Sequence, residues 1–337
     1  MRRREVDVIL RLAVAAMVFG GLSAAGGCAL MRQQATSHVA QGEAALAANN
    51  VEAAVAEFRE AVRLDPTYVD AHTRLGQALR QSGDFHGAVE ALKEAVRLDP
   101  KAFAPMFELG EVYRLLNKLT QAIRAYLVAC ELQPENFDAH VRLADCYYRA
   151  GELEQAAQAY EAALRLDPKN AQAWSNLGAV HYRQNQPYQA IAAYKRSLEC
   201  DTRQPAVLVN LATVYLQQER WQTAHRTLLI AIDMDPNLSA AHERLGYCLW
   251  RQDAFEAAAE HYLRAIQLDP DNAAAHAGYG VVRMTQYLSN PEKVAYRDEA
   301  IESWHVSLEI NPEQPKLRTL VEKYRPKQER PVLLLEE

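Results

Sequence analysis

Phe137 to Asn170 reads FDAHVRLADCYYRAGELEQAAQAYEAALRLDPKN, and this stretch decides the fold. Ala139, His140, Leu143, Ala144 and Tyr147 recur at three- and four-residue steps, so they share one face of a helix. Gly151 then supplies a left-handed residue, which closes a helix C-terminus at no steric cost. A second stripe follows in Ala156, Tyr160, Ala163 and Leu166. Pro168 cannot continue that helix and restricts the residue before it, so the chain turns again. The product is a helical hairpin that cannot bury its apolar face alone.

Stepping along the chain by the length of this stretch finds its copies. Proline recurs at Pro66, Pro100, Pro134, Pro168, Pro236 and Pro270, with Thr202 at the vacant step. The small residue of the first helix recurs from Gly42 through Gly76, Gly110, Ala144, Gly178, Ala212 and Gly246 to Gly280. In the second helix a large residue recurs as Phe58, Leu92, Tyr126, Tyr160, Tyr194, Leu228 and Tyr262. The turn between the two helices holds Asn49, Gly83, Asn117, Gly151 and Asn185, the residue types that best tolerate a left-handed backbone.

A 34-residue helix-turn-helix with this pattern resembles the tetratricopeptide repeat, or TPR. The resemblance covers residues 35–314 in eight units: 35–68, 69–102, 103–136, 137–170, 171–204, 205–238, 239–272 and 273–314. The last unit is out of step by eight residues around 289–296, which predicts an inserted loop. The resemblance implies an all-α, right-handed superhelical solenoid of about eight TPR units. After it, Leu317, Leu320, Val321 and Tyr324 at helical spacing predict a capping helix over 315–325, with 326–337 as a tail.

The totals agree with a folded body: 49% of the residues are hydrophobic and 24% charged. A net charge of −6 argues against a nucleic-acid surface, which needs a clustered basic footprint. Cys130, Cys146, Cys200 and Cys248 have no metal-ligand spacing and read as small buried residues. A Cys130–Cys146 bridge stays open at this point.

The segment 1–28 reads differently. Arg2, Arg3 and Arg4 precede an apolar run from Leu12 to Ala25, and the segment exits through Leu22-Ser-Ala-Ala-Gly-Gly-Cys28. A basic start, an apolar middle and a small-residue exit describe a secretory signal. The exit resembles a bacterial lipobox, which implies lipidation at Cys28, although Ala25 stands where that family usually has leucine. An uncleaved signal anchor and a cleaved soluble product are the alternatives. Residues 29–34 then form a short tether. The resemblance implies an exported lipoprotein at the outer membrane facing the periplasm, with an inner-membrane signal anchor as the alternative.

No phosphate-binding loop, dinucleotide fingerprint, zinc-protease motif or nucleophile elbow occurs, so no catalytic residue, metal or cofactor is expected. His38, His72, His140, His242 and His276 share one repeat position, where the TPR family most often has tryptophan. Successive first helices are expected to be separated by an intervening helix, too far apart for one metal to collect these rings.

Each first helix should bury its fourth, seventh, eighth and eleventh residues. The second, fifth, sixth, ninth, twelfth and thirteenth then lie on the other side, which in the TPR family lines the concave groove. Read onto this chain, the peptide-binding candidates are Arg142, Tyr148, Arg149, Asn176, Tyr182, Arg183, Asn210, Arg244, Tyr247, Trp250 and Arg251. Tyr and Trp offer large contact area at low entropy cost, and Arg adds a planar fork of donors. Asn176 and Asn210 resemble two rungs of the asparagine ladder in O-linked GlcNAc transferases. The chaperone-tail carboxylate clamp of other TPR proteins is not matched, because Val39, Thr73 and Phe107 stand at its lysine positions.

The expected function is a non-catalytic protein–protein interaction scaffold or adaptor of the bacterial cell envelope. The alternative is a regulatory or targeting subunit of an envelope enzyme complex, a glycosyltransferase or peptidoglycan hydrolase. The expected partners are another protein and, through the N-terminal lipid or anchor, the membrane. Neither nucleic acid nor a small-molecule substrate is expected.

Overall fold

The computed structural model describes residues 29–325, and every regular element among them is an α-helix. The signal segment with Cys28 and the tail 326–337 lie outside the described residues. Two compact units divide the chain, one ending at Leu166 and the other beginning at Asp167. The first unit holds α1 (residues 29–47), α2 (Val51–Leu64), α3 (Val69–Ser82), α4 (Phe85–Leu98), α5 (Phe103–Leu115), α6 (Leu119–Leu132), α7 (Phe137–Ala150) and α8 (Leu153–Leu166). The second holds α9 (Ala171–Arg183), α10 (Pro187–Cys200), α11 (Pro205–Gln217), α12 (Trp221–Met234), α13 (Ser239–Trp250) and α14 (Phe255–Leu268). It ends with α15 (Ala273–Ser289), α16 (Val294–Ile310) and α17 (Pro315–Tyr324).

Within each unit every helix packs on the next in sequence, which gives a tetratricopeptide-type stack of hairpins. The contact inside a hairpin joins the small residue of the first helix to the large residue sixteen positions on. At Gly178 an added Cβ would sit 2.7 Å from the Tyr194 ring, so the two helices approach as closely as the backbone allows. Asn136, Asn170 and Asn272 cap α7, α9 and α15 by accepting the N–H of Ala139, Ala173 and Ala275.

Gly83 and Gly151 close their helices at φ 87° and 81°, and Asn49, Asn117 and Asn185 at 56–57°. Glu219 and Asp253, at the same step of the next two repeats, adopt φ 55° and 57°. Asp253 is a residue type that visits that region, but Glu219 is not, so there the packed helices on either side impose it.

Four expectations change. Residues 29–34 are not a separate tether but part of helix α1. Arg32 fixes them, pairing with Asp65 and lying 3.8 Å over the Tyr68 ring. The extra residues near 289–296 do not form a long loop. They lengthen α15 and α16 to 17 residues each, and only 290–293 connect them. Arg283 pins the lengthened helices by pairing with Glu299 at 2.8 Å and stacking on Tyr279 and Tyr296.

The third change concerns the first helices. Consecutive ones touch directly: α3 meets α5, and α11 meets both α9 and α13. The fourth follows from it, because a helix flanked on both sides has a narrower open side. Fifth positions close up: Thr73, Ser175, Val209 and Glu243 are buried rather than presented. The tenth position is buried as well, with Val112, Cys146, Val180 and Val214 fully enclosed. The side left open carries chiefly the second, sixth, ninth and thirteenth residues, with half-buried twelfth residues such as Tyr148, Tyr182 and Trp250 at its edge.

Four of the five repeat-position histidines are satisfied by the backbone, while His38 pairs with Glu57 at 2.7 Å. Nε2 of His72, His140, His242 and His276 lies 2.9–3.2 Å from the carbonyl of the proline six residues earlier. Trp174 donates to Pro168 in the same way at 2.9 Å. Each ring ties its helix to the preceding turn, which is why tryptophan and histidine exchange there.

Candidate protein-binding face

All eleven candidates fall on the sixth, ninth, twelfth or thirteenth position of a first helix, and none is fully buried. Three belong to the first unit and eight to the second.

In the first unit the open side is a chain of ion pairs between consecutive first helices. Glu43 on α1 pairs with Arg74 on α3 at 3.0 Å, and Arg80 with Glu108 on α5 at 3.2 Å. Glu111 on α5 accepts from Arg114 at 2.7 Å and forms an ion pair with Arg142 on α7 at 3.2 Å. The buried Tyr126 hydroxyl also donates to Glu111, at 2.5 Å. Burial pushes the Glu111 carboxyl up, but these donors and the two guanidinium charges more than offset it and hold it below the usual carboxylate range. Asp145 goes the other way: burial raises it, and the Tyr160 hydroxyl and Arg142 only partly compensate. Arg142 is thus engaged within the fold, and Arg149 donates to Asn117 at 2.8 Å. Tyr148 beside them is half-buried.

The second unit is built otherwise. Asn176 and Asn210 occupy the same repeat position on α9 and α11, which touch. The Asn176 carbonyl already accepts from Gln172 at 2.8 Å, whereas Asn210 is exposed. Tyr182, Tyr247 and Trp250 each rest one side on the hydrophobic core and leave the other open. Tyr247 lies 6.0 Å from Trp250 and 6.4 Å, edge-on, from Trp221. The Arg251 guanidinium sits 4.5 Å over the Trp221 ring, and Trp250 Nε1 approaches Thr285 Oγ1 at 3.4 Å. Arg244 pairs with the buried Glu243 at 3.3 Å, and Arg183 is exposed. The sequence reading missed Trp221. It opens α12, where other repeats carry Phe85, Leu119 or Phe255, so by position it reads as core.

Among the described residues no group of three or more His, Cys, Asp or Glu is arranged to hold a metal ion. Cys130 and Cys146 are separate thiols, each pushed by burial up to about 11, so neither is a nucleophile at neutral pH. None of the described helices is long and apolar enough to cross a membrane.

One pair of side chains makes the second unit sensitive to acid. The His242 and His261 rings stack with their Nδ1 atoms 3.0 Å apart, and His242 Nε2 faces the Pro236 carbonyl. His242 Nε2–H therefore donates to that carbonyl, and its Nδ1 accepts from His261 Nδ1–H (tautomers assigned from the bonding). Burial lowers both rings below the ordinary 6.5, and the charges of His242 and His225 lower His261 further. A histidine depressed in the folded state takes up its proton first in the unfolded chain. Its contribution is therefore complete above 6.5 and is lost as pH falls below that value. The thermal midpoint should fall from about pH 7.5 to about pH 5.5, and less steeply in His261→Gln. Parallel curves for the two proteins would remove the pair from the account.

Helical hairpins with this step, this small-to-large contact and this open side define a tetratricopeptide-repeat protein. A family profile described as the cilia and flagella-associated protein 70 C-terminal domain, a TPR domain, matches residues 27–279, and the chain belongs to that family. No curated protein matches it.

Solved structures show the same fold at low identity. A tetratricopeptide repeat protein from Parabacteroides merdae superposes with a TM-score of 0.61 at 17% identity, over 77% of this chain and 99% of that one. The Cut9–Hcn1 hetero-tetramer of the APC/C gives 0.56 at 20% identity, over 82% of this chain. This chain spans about half, 53%, of the length of that chain. PilF of Pseudomonas aeruginosa gives 0.51 at 20% identity, over 61% and 94%. Repeats of this class typically serve as non-catalytic scaffolds that bind other proteins.

Proposed function

We propose that the chain is a non-catalytic scaffold of the bacterial cell envelope that holds a segment of another protein on the open side of its first helices. It is exported through the segment 1–28 and anchored by lipid on Cys28, in the outer membrane facing the periplasm. The observation that carries the binding reading is the row of half-buried rings, Tyr182, Tyr247 and Trp250, set among exposed Arg183 and Arg251. Rings seated on a core and open on one side offer contact area with little entropy left to lose. The anchoring reading is supported by the basic, apolar and small-residue order of the leader. With residues 29–34 already helical and Arg32 fixed to the next turn, a lipid on Cys28 would hold the repeats close to the bilayer.

A photo-crosslinking amino acid at Tyr182 in living cells tests the binding face. One discrete protein adduct is expected, with none from Gln158 on the exposed side of α8. Trp250→Ala combined with Tyr182→Ala should weaken capture of that partner about tenfold or more while the helical spectrum is unchanged. Adducts from Gln158 alone would move binding off this face. The anchor is tested separately with globomycin, which should make a precursor accumulate. A chain that matures normally in its presence is not lipidated at Cys28.

A further inference from the structure

The open sides of the two units differ in charge. In the first unit each inter-helix carboxylate has an arginine: Glu43 has Arg74, Glu108 has Arg80, and Glu111 has Arg114 and Arg142. That side is neutralised from within and has little charge left to offer. In the repeats of α9, α11, α13 and α15 the second, sixth, ninth and thirteenth positions hold three arginines, Arg183, Arg244 and the α13 C-cap Arg251, and no Asp or Glu. The nearest carboxylate on these helices, Glu243, is buried and already faces Arg244.

Arg251 is the most telling of the three. Among the described residues no carboxylate lies within 4.0 Å of it. Its guanidinium plane rests on Trp221, and one of its N–H groups points to the Tyr247 hydroxyl at a long 3.4 Å. Stacking holds the fork still while most of its donors lack a protein acceptor, which suits it to grip a carboxylate from outside. Tyr247 and Trp250 lie directly beside it, so a bulky apolar side chain next to that carboxylate would find a rigid aromatic seat.

We propose that the open side of the second unit is the part that grips the partner, and that it takes an extended protein segment rich in Asp or Glu with a bulky apolar residue beside a carboxylate. The inference rests on the binding-face reading above and adds to it the chemistry and the location of the grip. The carboxylate clamp absent from Val39, Thr73 and Phe107 is not involved. Arg251 and Arg244 reach the same kind of charge from a different repeat and from different helix positions.

Two fluorescein-labelled dodecapeptides test it on the full chain in dodecylmaltoside micelles. One alternates Glu with Leu, and the other carries Lys in place of every Glu. The acidic peptide should bind at least about tenfold tighter, and its affinity should fall as salt rises. Arg251→Glu and Arg244→Glu should each lower it by about tenfold. Arg196→Glu, an equal change in net charge at an exposed site on α10, should leave it unchanged. Equal binding of the two peptides, or equal losses from Arg196→Glu and Arg251→Glu, would overturn the proposal. So would tighter binding of a peptide copying the chain's own residues 326–337, because the chain would then fill its own site. A partner adduct at Tyr182 together with charge-blind peptide binding refutes only the acidic segment. Loss of the adduct refutes the binding face itself.

Discussion

Replacing Glu111 by alanine should destabilise the first unit by about 3 kcal/mol in denaturant unfolding. The carboxylate is 8% exposed, accepts hydrogen bonds from Arg114 and Tyr126, and faces the Arg142 guanidinium as a second ion pair. Its loss leaves the Tyr126 hydroxyl without its acceptor and Arg114 without its counter-charge, and Arg114 Nε is already buried without a partner. Breaking a buried pair by removing one member costs about 3–5 kcal/mol. The lower end applies here because Arg142 is 43% exposed, and water replaces that part of the interaction. Glu111→Gln keeps the shape and an acceptor for Tyr126, so it should cost less. Because the carboxyl is held below its ordinary 4.5, its contribution is complete above that value and lost as the solution is acidified through the lower, folded-state value. The gap between native protein and variant should therefore close in acid. A gap unchanged at pH 7 and at about pH 3 would mean that the charge is not what matters.

Trp304→Ala should have an effect at least as large, confined to the end of the second unit. Trp304 is 1% exposed, donates to the Ala277 carbonyl at 3.2 Å and lies against Gly280, where a Cβ would meet its Nε1 at 2.4 Å. Tyr324 on α17 closes over it at 6.5 Å, and Leu317 and Val321 complete the cluster. Truncating a buried tryptophan costs about 3–5 kcal/mol, through lost burial and through the cavity left behind. For a body of this size that is roughly 2–4 °C of melting temperature per kcal/mol. In a stack each repeat leans only on its neighbours, so hydrogen exchange should accelerate in α15–α17 and stay as it was in α3–α8. Trp304→Phe should restore most of the protection. Uniform acceleration along the chain would show that the stack unfolds as one body.

Much of this architecture is legible in the sequence. A recurrence of fixed length is a geometric statement, and Pro168, Gly151 and the Gly178–Tyr194 contact each perform one local task that residue type announces. The extra residues near 289–296 were legible as an insertion but not as helix. Nothing in the repeat pattern says that Arg283 can hold two longer helices together. The width of the open side was overestimated for a related reason. Periodicity within one helix identifies the face turned to its hairpin partner, but not how closely the next first helix approaches. Glu243 is buried by that second contact. Trp221 is hidden from the pattern because it opens a second helix at a position that reads as core, while its ring carries Arg251. For the histidines, spacing between first helices is no argument, because those helices touch. The proline carbonyls supply the better reason.

The inter-helix ion pairs have a bearing on how such an array can be rearranged. Hairpins that share one backbone geometry look exchangeable, and a gene could gain or lose a whole repeat unit without disturbing any helix. The side chains forbid some of these edits. Arg80 meets Glu108 across one junction, while Glu111 meets Arg142 across the next. Excising residues 103–136 would join α4 to α7 in good register and set Arg80 beside Arg142, two like charges where each had a carboxylate. The order of the repeats is thus written in charge along the first unit, and a copying error there meets repulsion before it reaches the partner.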